Sequence, residues 1–464
     1  MRALGVWRRL QEWTRPVDPE LSAALARRWS ELPEAVRTPA QLLGRRTTGC
    51  EGTHGVFPRC DLACTPCYHG REANRVRVDG EHTVAEVDRQ MAQLRAARGP
   101  GQHAQLIGGE VSLLDPDDHA AALAVMRRHG RKPMSMTHGD FDYGYLERLA
   151  VGADGRRRFE LLRFAGHFDS LMLGRRGHRR PRDEAELHPA RREFVAKFER
   201  LRSEHGVRYD LAHNMTVTPR NLGQVAEVAR ACLGMGYGML SFQPAAHVGN
   251  PNRWRERYDE VTIDAVWAEI ERGVGTRLPW RHLQMGDARC NRAAYGVLAG
   301  ERWVPLLDDR DPCDLKARDQ FLDGFGGMDF DRPGWQVGAA CARVIARHPR
   351  VLVVAARWAV RFARRLGISG LRSRPRGMTF VVHAFMDAAV VREAWREMQA
   401  GTTSPDAGVR AAQERLQACS YAMAHPDDGT IVPACVQHSI LDQDENRRLL
   451  VQLPMAPAGR TGPA

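Results

Sequence analysis

From Asn74 to about residue 250, amphipathic stretches alternate with short apolar runs, and this alternation limits the fold more than any other feature. VAEVDRQMAQLRAARG has helical spacing and is followed by strand-like HAQLI and a Gly-Gly turn. DDHAAALAVMRRHG leads to PMSMTHG, REFVAKFERLRSEHG to YDLAHNMTVT, and NLGQVAEVARACLGMG to GMLSFQP. Strands separated by helices predict an α/β chain with a parallel sheet and helices outside it, as a barrel or an open sheet. The regularity ends near residue 250. Segment 301–340, rich in Asp, Gly and Pro, reads as loops, and FVVHAFMDAAVVREAWREM as a strand passing into a helix. Residues 1–46 read as a helical lead-in and residues 454–464 as a disordered tail.

The 464 residues, 43% hydrophobic, are enough for a large core and more than one domain. The net charge of +12 suggests an anionic partner. Yet the only lysines are Lys132, Lys197 and Lys316, so the excess is almost all Arg, in a chain also rich in Ala, Gly and Pro. A GC-rich genome accounts for much of that. There is no helix-turn-helix, paired zinc-finger spacing or basic-aromatic strip, so nucleic acid is a disfavoured partner. No secretory signal and no run of 18 apolar residues is found, which predicts a cytoplasmic protein. There, ten cysteines point to metal or redox chemistry rather than disulfides.

Cys60-Asp-Leu-Ala-Cys64-Thr-Pro-Cys67 places three thiols on one short loop. Such a loop wraps one face of a cubane cluster, each of three irons taking one thiolate and the fourth staying open. A zinc knuckle is the plainer alternative, but zinc prefers paired CxxC-like units, and only Cys50, His54 and His69 lie near enough to complete one.

The CxxxCxxC pattern followed by an aromatic residue, Tyr68, resembles the radical S-adenosylmethionine superfamily. The resemblance implies a catalytic [4Fe–4S] cluster on Cys60, Cys64 and Cys67 whose open iron chelates S-adenosylmethionine. It further implies an external one-electron reductant of flavodoxin or ferredoxin type, and a 5′-deoxyadenosyl radical that takes hydrogen from an unactivated C–H bond. The implied fold is a partial (β/α)6 TIM-like barrel over residues 47–250. Gly108-Gly109-Glu110 follows HAQLI where the superfamily holds the methionine amino group, and Tyr68 is implied at the adenine end. Asn214 and Thr216 share one face of their strand, as do Ser241 and Gln243. Barrel sites gather at the C-terminal ends of strands, so these four are further candidates for the cofactor. His138, His167 and His213, each alone, read more readily as structural residues.

Cys232 and Cys341 fall in helical stretches and read as packed thiols, whereas Cys290, Cys313, Cys419 and Cys435 fall in loop-like segments. DDGTIVPACVQH resembles the C-terminal auxiliary-cluster regions of SPASM and twitch-type radical enzymes. That implies a C-terminal α+β auxiliary-cluster domain, residues 251–453, with a second [4Fe–4S] cluster on those four cysteines. Cys50 is a substitute ligand, and a zinc site or four unpaired thiols is the alternative.

Segment 343–366 is basic and amphipathic. Arg343, Arg347, Arg350, Arg357, Arg361 and Arg364 recur on one helical face, with Val344, Val351, Ala355, Trp358 and Phe362 on another; Pro349 marks a first turn. Such a helix either lies in a lipid headgroup layer, giving peripheral membrane contact, or packs as an ordinary surface helix. The domain order is similar to the tetraether lipid synthase group, which implies a lipid or hydrophobic substrate. The auxiliary-cluster resemblance implies instead a ribosomal peptide. A non-catalytic iron–sulfur or zinc protein that binds nucleic acid is the reading from a different class.

Overall fold

Aspartate followed by proline opens three helices of the computed structural model, which describes residues 12–249 and 260–455. Asp18, Asp115 and Asp311 each turn a carboxylate onto the first free backbone N–H groups, with Pro at the first helical position, where no N–H is needed. The helices so started are α1 (Pro19–Glu31), α3 (Pro116–Arg128) and α8 (Pro312–Phe325).

In the first half, strands and helices alternate. After α1 come β1 (Cys50–Gly52), the short β2 (Ala63–Cys64), α2 (Gly80–Arg98), β3 (His103–Leu106), α3, β4 (Lys132–Thr137), α4 (Tyr143–Ala150) and β5 (Leu161–His167). Then follow β6 (Met172–Leu173), α5 (His188–His205), β7 (Arg208–Val217), α6 (Val225–Leu233) and β8 (Met239–Pro244). The second half holds α7 (Ile263–Val274), β9 (Asn291–Ala299), β10 (Arg302–Pro305), α8, α9 (Gly334–Arg347), α10 (Arg350–Arg372) and β11 (Arg376–His383). It ends with α11 (Ala388–Gln399), α12 (Ala407–Gln417), β12 (Tyr421–Ala424), β13 (Ile431–Pro433), the one-turn α13 (Ala434–Val436), a π turn (Gln437–Leu441) and α14 (Asp442–Gln452).

Eleven strands form one sheet in the order β10-β9-β11-β8-β7-β5-β4-β3-β1-β12-β13. Every pairing from β11 through to β12 is parallel; β9, β10 and β13 are antiparallel additions. From β1 to β8 the neighbours follow chain order, so the sheet winds in one direction and the loops after these strands gather along one edge. The molecule is thus mixed α/β with a large parallel sheet. The sheet is not closed among the described residues, since β10 and β13 are its two edges. Residues beyond 260 add strands to both sides of it.

One hydrophobic core spans the sheet and its helices, with Phe57, Met91, Leu106, Phe164, Phe194, Phe198, Leu240 and Phe380 fully buried. Burying such side chains is the main driving force for the fold. Cys232 is buried in that core on α6, as its helical context predicts.

Some elements differ from the expectation. Segment 301–340 is not loop: it holds β10, α8 and the start of α9, because the Asp311-Pro312 pair caps a helix that runs on to its C-cap at Gly326. The lead-in is helical only over α1 among its described residues, apart from residues 12–13 and a single 3-10 turn. Segment 343–366 is not one helix: α9 ends at Arg347, Pro349 caps α10, and α10 itself bends at Gly367. Most of the tail, and the segment around residue 250, lie outside the described residues. No helix among the described residues is long and apolar enough to cross a membrane.

Candidate active site

The loop after β1 carries Cys60, Cys64 and Cys67, and the turn after β3 holds it in place. Gly109 N–H donates to Phe57 O at 2.6 Å and Glu110 N–H to Arg59 O at 2.8 Å. A Cβ on Gly109 would lie 2.0 Å from Arg59 O, and one on Gly108 2.7 Å from the Phe57 ring. The two glycines therefore let the cysteine loop's own backbone dock against the end of β3. Cys60 N–H donates to Asn74 Oδ1 at 3.1 Å, Leu62 N–H to Cys60 Sγ at 3.4 Å, and Cys64 pairs in β2 against Met172 of β6.

All three cysteines are half-buried, and none is in a disulfide. Burial pushes the Cys60 thiol up to about 12, with the Glu110 charge adding to it. Tyr68 donates to Gly108 O at 2.8 Å. Its ring packs against His69 at 4.3 Å and His438 at 4.4 Å between centroids. A Cβ on Gly249 would lie 2.1 Å from Tyr68 O, so the loop after β8 closes over this residue.

Glu110 is 1% exposed. Its carboxylate accepts from Ser112 N–H at 2.9 Å, Ser112 Oγ at 2.6 Å, Thr137 Oγ1 at 2.6 Å and His138 N–H at 2.8 Å. Four donors fix it beside the thiols. Burial disfavours the charged His138 ring, but the carboxylates of Glu110 and Asp61 outweigh that and raise its pKa. His138 Nε2 meets Asp61 Oδ1 at 2.8 Å, and Cys60, Asp61 and His138 bring one ligand atom each within 4.8 Å of one another.

The parallel register lines up the other candidates. His167 pairs with Asn214 and Asn214 with Ser241; Thr216 pairs with Gln243. Side chains in register share a face, so residues at the C-terminal ends of β5, β7 and β8 form rows leading from His138. Thr216 is engaged: its N–H donates to Asp169 at 3.1 Å and its hydroxyl meets His167 at 3.1 Å. Ser241 is 1% exposed, and its hydroxyl has no partner among the described residues.

Of the other cysteines, Cys290, Cys419 and Cys435 come together. Burial raises the Cys435 thiol, and the charges of Cys419 and Cys290 add to it. Burial likewise pushes Cys290 up to about 11, while Arg415 Nε donates to its sulfur at 3.1 Å. Cys50 is close by, paired with Tyr421 two residues beyond Cys419. Cys313 does not join them; it is exposed in the first turn of α8, a helix packed on α9 and α10.

The sequence reasoning missed the C-terminal wall. The buried face of α14 is Asp442, Glu445, Asn446 and Leu449. Asp442 meets His438 at 2.7 Å, Glu445 meets His54 at 2.8 Å, Asn446 meets His69 at 3.2 Å, and Gln437 reaches both carboxylates. α14 also packs on the turn Arg71–Arg75 just past the cysteine loop. The only signal was polar residues at helical spacing, which normally marks a solvent face.

No family model matches the chain, and no curated protein matches it. Among solved structures, Streptococcus suis SuiB bound to its precursor peptide SuiA is 13% identical with a TM-score of 0.29, over 42% of this chain and 38% of that one. SuiB bound to S-adenosylmethionine is 12% identical, with a TM-score of 0.28 over the same shares. Native anSMEcpe with bound AdoMet is 13% identical, with a TM-score of 0.31, over 48% of this chain and 57% of that one. The chain thus spans less than two thirds of each of these proteins, and likenesses this distant carry no argument about function.

Proposed function

We propose that this chain is a radical S-adenosylmethionine enzyme. One observation carries the reading: Cys60, Cys64 and Cys67 sit on a loop docked by Gly108-Gly109-Glu110, where consecutive parallel strands end. The donor set fits the cofactors. Three half-buried thiols suit three irons of a cubane, and the unpartnered Ser241 hydroxyl is a polar atom available to a ligand. With both groups bound, they supply one-electron cleavage of a sulfonium and a carbon radical that takes hydrogen from substrate.

The chain's own residues do the positioning. Cys60, Cys64 and Cys67 hold the iron. Glu110, fixed by Ser112, Thr137 and His138, presents a negative charge to an ammonium group. Tyr68 walls the site, and Asn214, Thr216, Ser241 and Gln243 line the strand ends facing the cofactor. Cys290, Cys419 and Cys435, with Cys50 on the strand beside Tyr421 as a candidate fourth ligand, hold an auxiliary cluster; the mutual proximity of the three favours this set over one that includes Cys313. A flavodoxin- or ferredoxin-type reductant supplies the electron.

The test is anaerobic reconstitution with iron and sulfide, followed by iron counting and an assay for 5′-deoxyadenosine with dithionite. Wild type is expected to hold about eight irons and a C60A/C64A/C67A variant about four, with deoxyadenosine only in wild type. Zinc in place of iron and no deoxyadenosine would overturn the reading in favour of a binding protein.

A further inference from the structure

From Arg332 to Met386 the chain has eleven arginines and no acidic residue, so nearly all of the net charge of +12 resides in one segment. That segment contains α9, α10 and β11. Its most exposed part is α10. One face of α10 is fixed inward: Trp358 Nε1 donates to Leu306 O at 2.9 Å, Trp358 stacks on Phe362 at 5.3 Å, and Val351 and Leu366 are buried. Arg361 and Arg365 belong to this inner side, paired with Asp311 and Asp314.

Nothing among the described residues covers the opposite face. Leu352, Val353 and Val360 are each more than half exposed, with Ala356 and Ala359 between them, and Ile368 is 72% exposed just past the bend at Gly367. Arg350, Arg357 and Arg364 recur every seven residues along one border of this strip. Among the described residues none of the three has a carboxylate partner, although Arg361 and Arg365 do. Among the described residues, the arginines that face inward are therefore neutralised and those beside the apolar strip are not.

We infer that the outer face of α10 docks on an anionic lipid bilayer, lying in the plane of its headgroups. A convex aliphatic strip bordered by unpaired arginines matches acyl chains beside phosphates. The face offers no exposed aromatic ring between the arginines for bases to stack on, which disfavours nucleic acid. It repels a second copy of itself, because the segment carries one sign of charge only. The inference is independent of the radical chemistry.

The test uses the full chain with vesicles of phosphatidylcholine, with and without about one third phosphatidylglycerol. Wild type is expected to co-sediment with the anionic vesicles and to stay in solution with neutral ones. Each arginine near such a surface contributes about a factor of five in affinity, so R350E/R357E/R364E should weaken binding about a hundredfold or more. V353E/V360E should abolish it. Both variants change exposed side chains only, and an unchanged thermal midpoint and iron content would show that they fold. Wild type remaining in solution with anionic vesicles would overturn the inference. So would equal binding to neutral vesicles, binding to duplex DNA instead of vesicles, or a dimer that V353E/V360E dissolves.

Discussion

His438 Nδ1 lies 2.7 Å from Asp442 Oδ2, and the imidazole so held packs its ring 4.4 Å from that of Tyr68, next in sequence to Cys67. The two sides of this contact come from opposite ends of the chain. Burial opposes the Asp442 charge, but the His438 ring beside it and the Gln437 amide more than compensate, holding its carboxyl below the usual range.

Asp442→Asn therefore removes the carboxylate that the buried His438 ring and Gln437 amide contact. Leaving such buried groups poorly paired should cost about 1–3 kcal/mol and lower the thermal midpoint. Because the folded-state pKa lies below the unfolded one, near 4, the stabilisation is complete above about pH 4 and is lost as pH falls through the depressed value. The gap between wild type and variant should close in that window. A gap of the same size at pH 2.5 and pH 7 would mean that the charge is not what Asp442 contributes.

Gly109→Ala should loosen the cysteine loop. Its Cβ would meet the Arg59 carbonyl at 2.0 Å, backbone that has little room to yield. Overpacking of this kind costs about 1–3 kcal/mol, and iron retention after reconstitution should fall with it. Gly377→Ala on β11 is the control, since nothing lies within 4 Å of that Cβ. Equal iron retention in the two variants would contradict the docking role.

Ser241→Ala separates stability from binding. Removing a buried hydroxyl that has no partner among the described residues should leave the thermal midpoint unchanged or slightly raised. If that hydroxyl serves S-adenosylmethionine, the Kd for the cofactor, measured by equilibrium dialysis on the reconstituted protein, should rise about tenfold, one hydrogen bond to a charged ligand. An unchanged Kd would remove Ser241 from the site.

Cys313→Ser should leave the iron content at the wild-type value, whereas Cys435→Ser should lower it by about one cluster, or about four irons. Loss of iron in both would restore Cys313 to the ligand set despite its exposed position.

The sequence made the sheet's spine legible because β3, β4, β7 and β8 are short apolar runs, each preceded by an amphipathic helix. It made the first site legible because its three thiols lie on one loop. Two kinds of feature were hidden. Helix α8 was hidden because its content of Asp and Gly resembles a loop, and only the Asp311-Pro312 cap marks its start. The inner face of α14 was hidden because Asp442, Glu445 and Asn446 look like a solvated surface, and only their partners His438, His54 and His69, two of them almost four hundred residues away in sequence, make that face an interior one. The auxiliary set was half legible. Cys290, Cys419 and Cys435 meet through tertiary contacts, and no local spacing separates them from Cys313.

β12 enters the sheet beside β1, in register from Cys50 to Tyr421. On the ribosome β1 thus waits for β12, made far later in the chain, to be its neighbour, and the cysteine loop that follows β1 gains its α14 wall later still. A contact spanning most of the chain is slow to close. The cysteine loop therefore emerges from the ribosome with that side still uncovered. Metallation before α14 is in place would act on a half-built vestibule, whereas metallation afterwards would act on one already walled by that helix.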